Sequence, residues 1–195
     1  MRKAEFRRYK SGWTKSFIEG FSQDELGLAL PWMTYGAIEF LNQFLHHNHR
    51  IFEFGLGSST LFFAKRVKSV ISLETNPEWA WMVNEKLAEQ NSQNVEITLM
   101  ENGIILPQYE TFPKSFEEKF DLIIVDSIKR FECSKNSVDA LKPGGVVILD
   151  DSERKHYQKI FDFFADRNFL KQDFIGISPG QLRIKKTTMF FDKAL

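Results

Sequence analysis

The chain has 195 residues, with 26 lysines and arginines balanced by 26 aspartates and glutamates, and a single cysteine. That length suits one α/β domain able to bury a full core, and Cys133 has no partner for an intrachain disulfide. The charge balance excludes the basic footprint of a nucleic-acid binder, and no apolar run in the sequence approaches the roughly 20 residues that cross a bilayer.

Residues 1–30 carry weak signals and read as a polar helical arm over a core at 31–192, all within a single domain. The start is locally basic, with Arg2, Lys3, Arg7, Arg8 and Lys10, but no uninterrupted apolar segment follows. It reads as a solvated terminus, not a secretory signal, so the protein is expected in the cytoplasm. From Pro31, the stretch PWMTYGAIEFLNQFLHH predicts a helix with proline in its first turn and Ile38, Leu41, Phe44 and Leu45 on one face. His46, His47 and His49 read as a polar turn at its end, because no cysteine or acid set accompanies them.

Arg50 to Phe54 is the first predicted strand, and Ser58 is placed to cap the helix behind it. Ser69 to Glu74 is the second strand. Asn76-Pro77-Glu78 then starts a helix that runs to about Gln90, with an N-cap, a proline at the first position and an early acid. Val95 to Met100 is the third strand, followed by a loop containing Gly103, Pro107 and Pro113 in which a short helix fits. Phe120 to Asp126 is a nearly continuous apolar run, as in strands buried on both faces. A helix follows to Leu141, where Cys133 reads as an ordinary helix residue. Lys142 to Gly145 reads as a turn into the fifth strand, Val146 to Leu149, and Glu153 to Arg167 as a helix. Phe169 to Ile177 and Lys185 to Phe191 complete the pattern as an antiparallel edge pair around Pro179-Gly180. This alternation of strands and helices argues for a parallel sheet covered on both faces.

Open α/β sheets bind ligands beyond the carboxyl ends of their strands. Four of the five predicted parallel strands end in acids there: Glu53, Glu74, Asp126 and the pair Asp150-Asp151. Gly55 and Gly57 permit a tight turn and close approach of a ligand to the backbone. Glu74 lies 21 residues beyond Glu53, near the interval at which a second-strand carboxylate holds ribose hydroxyls. A dinucleotide loop wants a third glycine where this chain has Thr60, and so many acids disfavour a pyrophosphate while favouring a cationic ligand. Taken singly, each acid also reads as a helix cap or a solvated loop residue.

The stretch Glu53-Phe54-Gly55-Leu56-Gly57-Ser58-Ser59-Thr60 resembles motif I of class I S-adenosylmethionine-dependent methyltransferases. FDLIIVD (Phe120 to Asp126), LKPGGVVILDD (Leu141 to Asp151) and the closing strand pair are similar to later motifs of that family. PWMTYGAIEFL is similar to a segment preceding motif I in a bacterial subgroup of it. The resemblance covers residues 31–192 and implies a Rossmann-like fold: a seven-stranded, mostly parallel sheet with an antiparallel terminal hairpin and helices on both faces. It implies S-adenosyl-L-methionine as cofactor. Glu53 and the backbone of Gly55, Leu56, Gly57, Ser58 and Ser59 would hold the methionine part, and Glu74 the ribose. Glu101 and Asn102 would read the adenine, and Asp126 would face the ammonium or the substrate. Ser59 stands where the family often has a further glycine.

Methyl transfer needs a general base only when the acceptor must lose a proton. Asp126, Asp150, Asp151 and His156 are the candidates. Arg130, Ser152, Arg154 and Tyr157 are candidates to line the acceptor pocket, with ordinary surface charge as the competing reading, while Trp32 and Tyr35 either stack on a ligand or fill core. Asp126 with Asp150-Asp151 and Lys129 also resembles the magnesium site of catechol-type O-methyltransferases, although Asp151 stands where that group has asparagine. No metal is assigned on this basis. A nicotinamide-dependent oxidoreductase, an aminopropyl transferase and a non-catalytic scaffold share this fold class. A neutral, compact chain favours a small-molecule methyl acceptor, with neither nucleic acid nor membrane as partner; the oligomeric state is not legible.

Overall fold

The structure, a computed structural model, describes residues 12–100 and 108–193. The basic first residues lie outside these. A helix at 12–19 (α1) leads into a turn closed by an isolated bridge between Gln23 and Ala29. The described part of the arm is less polar than its sequence suggests. Phe21 and Ala29 are buried in one apolar cluster with Leu56, Leu61 and Val83.

The remaining elements are α2 (Tyr35–Phe44), β1 (Arg50–Phe54), α3 (Ser58–Ala64), β2 (Ser69–Glu74), α4 (Pro77–Glu89) and β3 (Val95–Leu99). A 3-10 turn (Tyr109–Ser115) precedes β4 (Phe120–Val125), α5 (Arg130–Ala140), β5 (Leu141–Leu149), α6 (Gln158–Asp166), β6 (Leu170–Gly176) and β7 (Lys185–Phe191). The seven strands form one sheet in the order β3-β2-β1-β4-β5-β7-β6. β1 to β5 are mutually parallel, and β7 runs antiparallel to both β5 and β6. The strand order reverses between β1 and β4, where a crevice opens at their carboxyl ends.

Alternation along the strands divides the core. Phe52, Phe54, Ile71, Leu73, Ile123 and Val125 pack with Cys133 of α5 and with Ile160 and Phe164 of α6. Ile51, Val70, Leu122 and Ile124 face the other way, against Ile38 and Leu41 of α2 and Phe62 and Phe63 of α3. Burial pushes the Cys133 thiol up, away from thiolate chemistry, in keeping with a structural helix residue.

Three predicted boundaries move, each for a local reason. α2 starts at Tyr35 with Thr34 as N-cap, not at Pro31. Trp32 Nε1 donates to the Pro179 carbonyl (2.6 Å) and the Thr34 N–H donates to Thr187 Oγ1 (3.2 Å), pinning this stretch against the β6–β7 connection and β7. β5 already begins at Leu141, because Leu141 pairs with Phe120 and Val146 with Leu122, while Lys142-Pro143-Gly144-Gly145 bulges between them with Gly144 left-handed (φ 74°). The helix expected from Glu153 starts only at Gln158. Asp151 is left-handed (φ 49°) and pairs with Arg154, holding the chain in a turn and a short 3-10 segment first.

Candidate functional site

A cavity of about 250 Å³ lies at the β1/β4 switch point, lined by the Gly55–Ser59 loop, Glu74, Trp79, Asp126, Ser127 and Trp32, among others. The loop must bend sharply out of β1. Gly55 has φ 90°, and a Cβ there would stand 2.7 Å from the Asp126 carbonyl, so both conformation and the proximity of β4 demand glycine. Ser58 is the first helical residue rather than the cap; Gly57 holds the N-cap position, and its N–H donates to Thr60 Oγ1 (3.1 Å).

Thr60, at the place of a third dinucleotide glycine, is therefore a brace for the loop. Its hydroxyl also donates to Glu53 Oε2 (2.7 Å), which accepts from Ser72 (2.9 Å) as well, while Glu53 Oε1 accepts from Ser59 (2.6 Å). Glu53 is fully buried beneath α3, on the strand face it shares with Ile51, and is absent from the cavity wall. Burial raises its carboxyl to about 7, with the three hydroxyls opposing. Its geometry is that of a loop anchor.

Glu74 does line the cavity, and it also organises it. One carboxylate oxygen accepts the Leu56 N–H (3.1 Å), and the other accepts those of Thr75 (2.7 Å) and Asn76 (2.8 Å). Asn76 caps α4 through the N–H groups of Glu78 and Trp79. This cap delivers the Trp79 indole over the loop, where Nε1 donates to the Leu56 carbonyl (2.7 Å). Trp79 is a wall residue the sequence reading missed. The available signal was its place in the first turn of the helix that follows Glu74. Glu101 and Asn102 lie outside the described residues.

The expectation of an acid-lined pocket needs correction. Asp126 faces the cavity, with its Oδ1 accepting from Arg130 Nη2 (2.6 Å). Its side chain is 39% exposed, yet protein crowds its remaining sides; this, with the negative charge of Asp150, raises its carboxyl, against Arg130 and Lys185. Asp150 and Asp151 turn instead toward cations. Lys185 Nζ, on β7, lies 2.5 Å from Asp150 Oδ2 and 2.8 Å from Asp151 Oδ1. Thr187 donates to Asp150 Oδ1 (2.6 Å), and Arg183 and Arg154 pair with Asp151. Burial alone would raise Asp151, but Lys185, Arg183 and Arg154 outweigh it and bring the carboxyl to about 2. Neither aspartate lines the cavity. Lys185 escaped the sequence reading because its partners lie 34 and 35 positions away.

A second concavity of about 360 Å³ shares Ser127 with the first and is lined by Lys129, Arg130, His156, Tyr157 and Lys159, among others. Of the predicted acceptor residues, Arg130 and Tyr157 meet here, the guanidinium 5.6 Å from the ring centroid. Ser152 does not join them: it is buried, with its hydroxyl shared between Thr188 and the Lys186 carbonyl. Arg154 is drawn away by Asp151. Trp32 lines the first cavity, whereas Tyr35 packs against the α2–α3 core.

No protein-family model matches the chain, and no curated protein is similar to it in sequence. Solved structures are similar in fold. An rRNA methylase from Streptococcus thermophilus superposes with a TM-score of 0.62 at 14% identity, covering 80% of this chain and 93% of that one. A putative methyltransferase from Streptococcus mutans, solved with S-adenosylhomocysteine, gives 0.56 at 17%, covering 78% and 94%. The O-methyltransferase of tomaymycin synthesis from Streptomyces achromogenes, solved with S-adenosylmethionine, gives 0.60 at 18%, covering 75% and 74%. The fold is thus that of the Rossmann-like, class I S-adenosylmethionine-dependent methyltransferases. No helix among the described residues is long and apolar enough to cross a membrane.

Proposed function

We propose that this protein is an S-adenosylmethionine-dependent methyltransferase acting on a small molecule. The observation that carries the reading is the cavity at the β1/β4 switch point, where the Gly55–Ser59 backbone, Glu74, Trp79 and Asp126 converge in a methyltransferase fold. The donor set fits the cofactor. Glu74 keeps one acceptor site, on Oε2, for a ribose hydroxyl, Asp126 offers negative charge to an ammonium or sulfonium, and the Trp79 indole offers an apolar wall. When bound, the sulfonium supplies a methyl group to a nucleophile by in-line displacement.

The chain's own part is orientation. Glu53, through Ser59, Thr60 and Ser72, holds the loop in shape, and Glu74 joins that loop to the end of β2. Fixing the reacting atoms in line supplies much of the rate enhancement in such a displacement. The concavity beyond Ser127 is the place we assign to the acceptor. Arg130, Lys129, Lys159 and His156 around it favour a small acceptor bearing an anionic group. A hydroxyl acceptor would deliver its proton to Asp126 or His156, the two of the four predicted bases that line these cavities.

Calorimetric titration with S-adenosylmethionine, S-adenosylhomocysteine, the decarboxylated cofactor and NAD tests the reading. Micromolar binding of the first two, lost in Trp79→Ala, supports it. Preference for the decarboxylated form would point to aminopropyl transfer, and preference for NAD to a nicotinamide enzyme. Failure of well-folded protein to bind any of them would leave a scaffold. Turnover of carboxylate- or phosphate-bearing acceptors over neutral analogues, weakened by Lys159→Glu, tests the acceptor assignment.

A further inference from the structure

Asp126, Asp150 and Asp151 each present a carboxylate oxygen, and the three atoms lie within 4.8 Å of one another. Hard oxygen donors so arranged suit a divalent cation. The same place already holds a positive charge. The Lys185 ammonium has three N–H donors and three oxygen partners at close range: Asp150 Oδ2 (2.5 Å), Asp151 Oδ1 (2.8 Å) and the Trp32 carbonyl (3.0 Å). Its side chain is only 3% exposed.

The other oxygens are also engaged. Asp150 Oδ1 accepts from Thr187, Asp151 Oδ2 from Arg154, and Asp126 Oδ1 from Arg130, while Arg183 adds a further cation against Asp151 Oδ1. Three carboxylates thus face four cationic side chains, Lys185, Arg130, Arg154 and Arg183. A divalent ion would have to displace the ammonium from its three oxygen partners, because two such positive charges cannot share them at low local dielectric. The cluster, with Lys185 in place, does not fit a metal.

We propose that Lys185 is the resident cation of this carboxylate cluster, standing where a divalent metal would otherwise be held, and that removing its ammonium uncovers a latent cation site. Lys185 is then a positioning residue. It shares its one positive charge between Asp150 and Asp151, and through the Trp32 carbonyl it fixes one wall of the cavity to β7. The proposal concerns cation binding alone and stands whether or not the protein transfers methyl groups.

Terbium luminescence sensitised by tryptophan reads it directly, with circular dichroism as the check on folding. Wild-type protein is expected to give no bound-terbium signal. Lys185→Ala and Lys185→Ser are expected to give one that saturates below about 1 mM, the range of weak all-oxygen sites, is displaced by Ca²⁺, and disappears when Asp151→Asn is added. A wild-type signal abolished by Asp151→Asn would overturn the proposal, because the cluster would then hold a metal beside Lys185. Folded Lys185 variants that bind no better than wild type would overturn it too. If both variants are unfolded in metal-free buffer, millimolar Ca²⁺ is expected to restore their circular dichroism, since a ligand that binds only the native state stabilises it. Continued unfolding in Ca²⁺ counts against the proposal.

Discussion

The carboxylate of Glu74 accepts the buried backbone N–H of Leu56 at 3.1 Å, joining the end of β2 to the loop that leaves β1. A residue that would hold ribose hydroxyls therefore also holds the loop on which the cofactor would rest. Glu74→Ala strands three backbone N–H groups. It is expected to cost about 1–3 kcal/mol of stability without any ligand, besides abolishing cofactor binding. Glu74→Gln, which keeps one acceptor oxygen, is expected to recover part of the stability. Urea unfolding of the ligand-free proteins separates the two roles: unchanged stability in Glu74→Ala would deny the structural one.

Glu53 sets a pH dependence. Its carboxyl stands at about 7 in the fold against an ordinary value of 4.5. The native state therefore holds a proton that the unfolded chain releases, and this group's contribution to stability falls as pH rises from 4.5 through about 7. The full loss is about 3 kcal/mol. Glu53→Gln cannot ionise, so the stability difference between wild type and Glu53→Gln is expected to shift against wild type across that window. Other titrating groups cancel in the difference. Parallel curves at pH 5 and pH 8 would refute this.

Gly55 and Gly144 both have positive φ, at 90° and 74°, but only Gly55 of the two is crowded, since a Cβ there would stand 2.7 Å from the Asp126 carbonyl oxygen. Gly144→Ala is expected to cost about 1–2 kcal/mol, the strain of a left-handed residue alone. Gly55→Ala is expected to cost more than that and to distort the loop. Thermal unfolding of the two variants side by side distinguishes backbone strain from contact.

Among the described residues, the fully buried Tyr109 hydroxyl has no hydrogen-bond partner within bonding distance, although Ser127 faces it. Tyr109→Phe removes an unsatisfied polar atom and leaves the ring packed on Phe54. It is expected to stabilise the ligand-free protein by about 1 kcal/mol. A destabilisation of that size would show that the hydroxyl has a partner after all.

The apolar runs of β1, β2 and β4 made their positions legible from sequence, and the interval from Glu53 to Glu74 marked the acids of β1 and β2, of which only Glu74 lines the cavity. Less legible was everything decided by distant contacts. The Lys142–Gly145 stretch carries turn residues and bulges out of register, yet the pairing of Leu141 with Phe120 ahead of it draws it into β5. Pro31 looks like the first turn of a helix, yet Trp32 and Thr34 are bonded to the β6–β7 connection and to β7. The acids at the strand ends were visible one by one. Which of them faced the cavity depended on cations supplied by Arg130, Arg183 and Lys185, and no local pattern connects those to Asp150 and Asp151.

The position of Lys185 on β7 also bears on how the chain is made. β5 leaves the ribosome well before β7 and, until then, has a bare edge and two aspartates without their main countercharge. Charged residues beside an unpaired strand discourage other chains from adding to it. In the folded chain the same carboxylates bond Lys185 and Thr187 and so fasten the antiparallel strand to the end of β5.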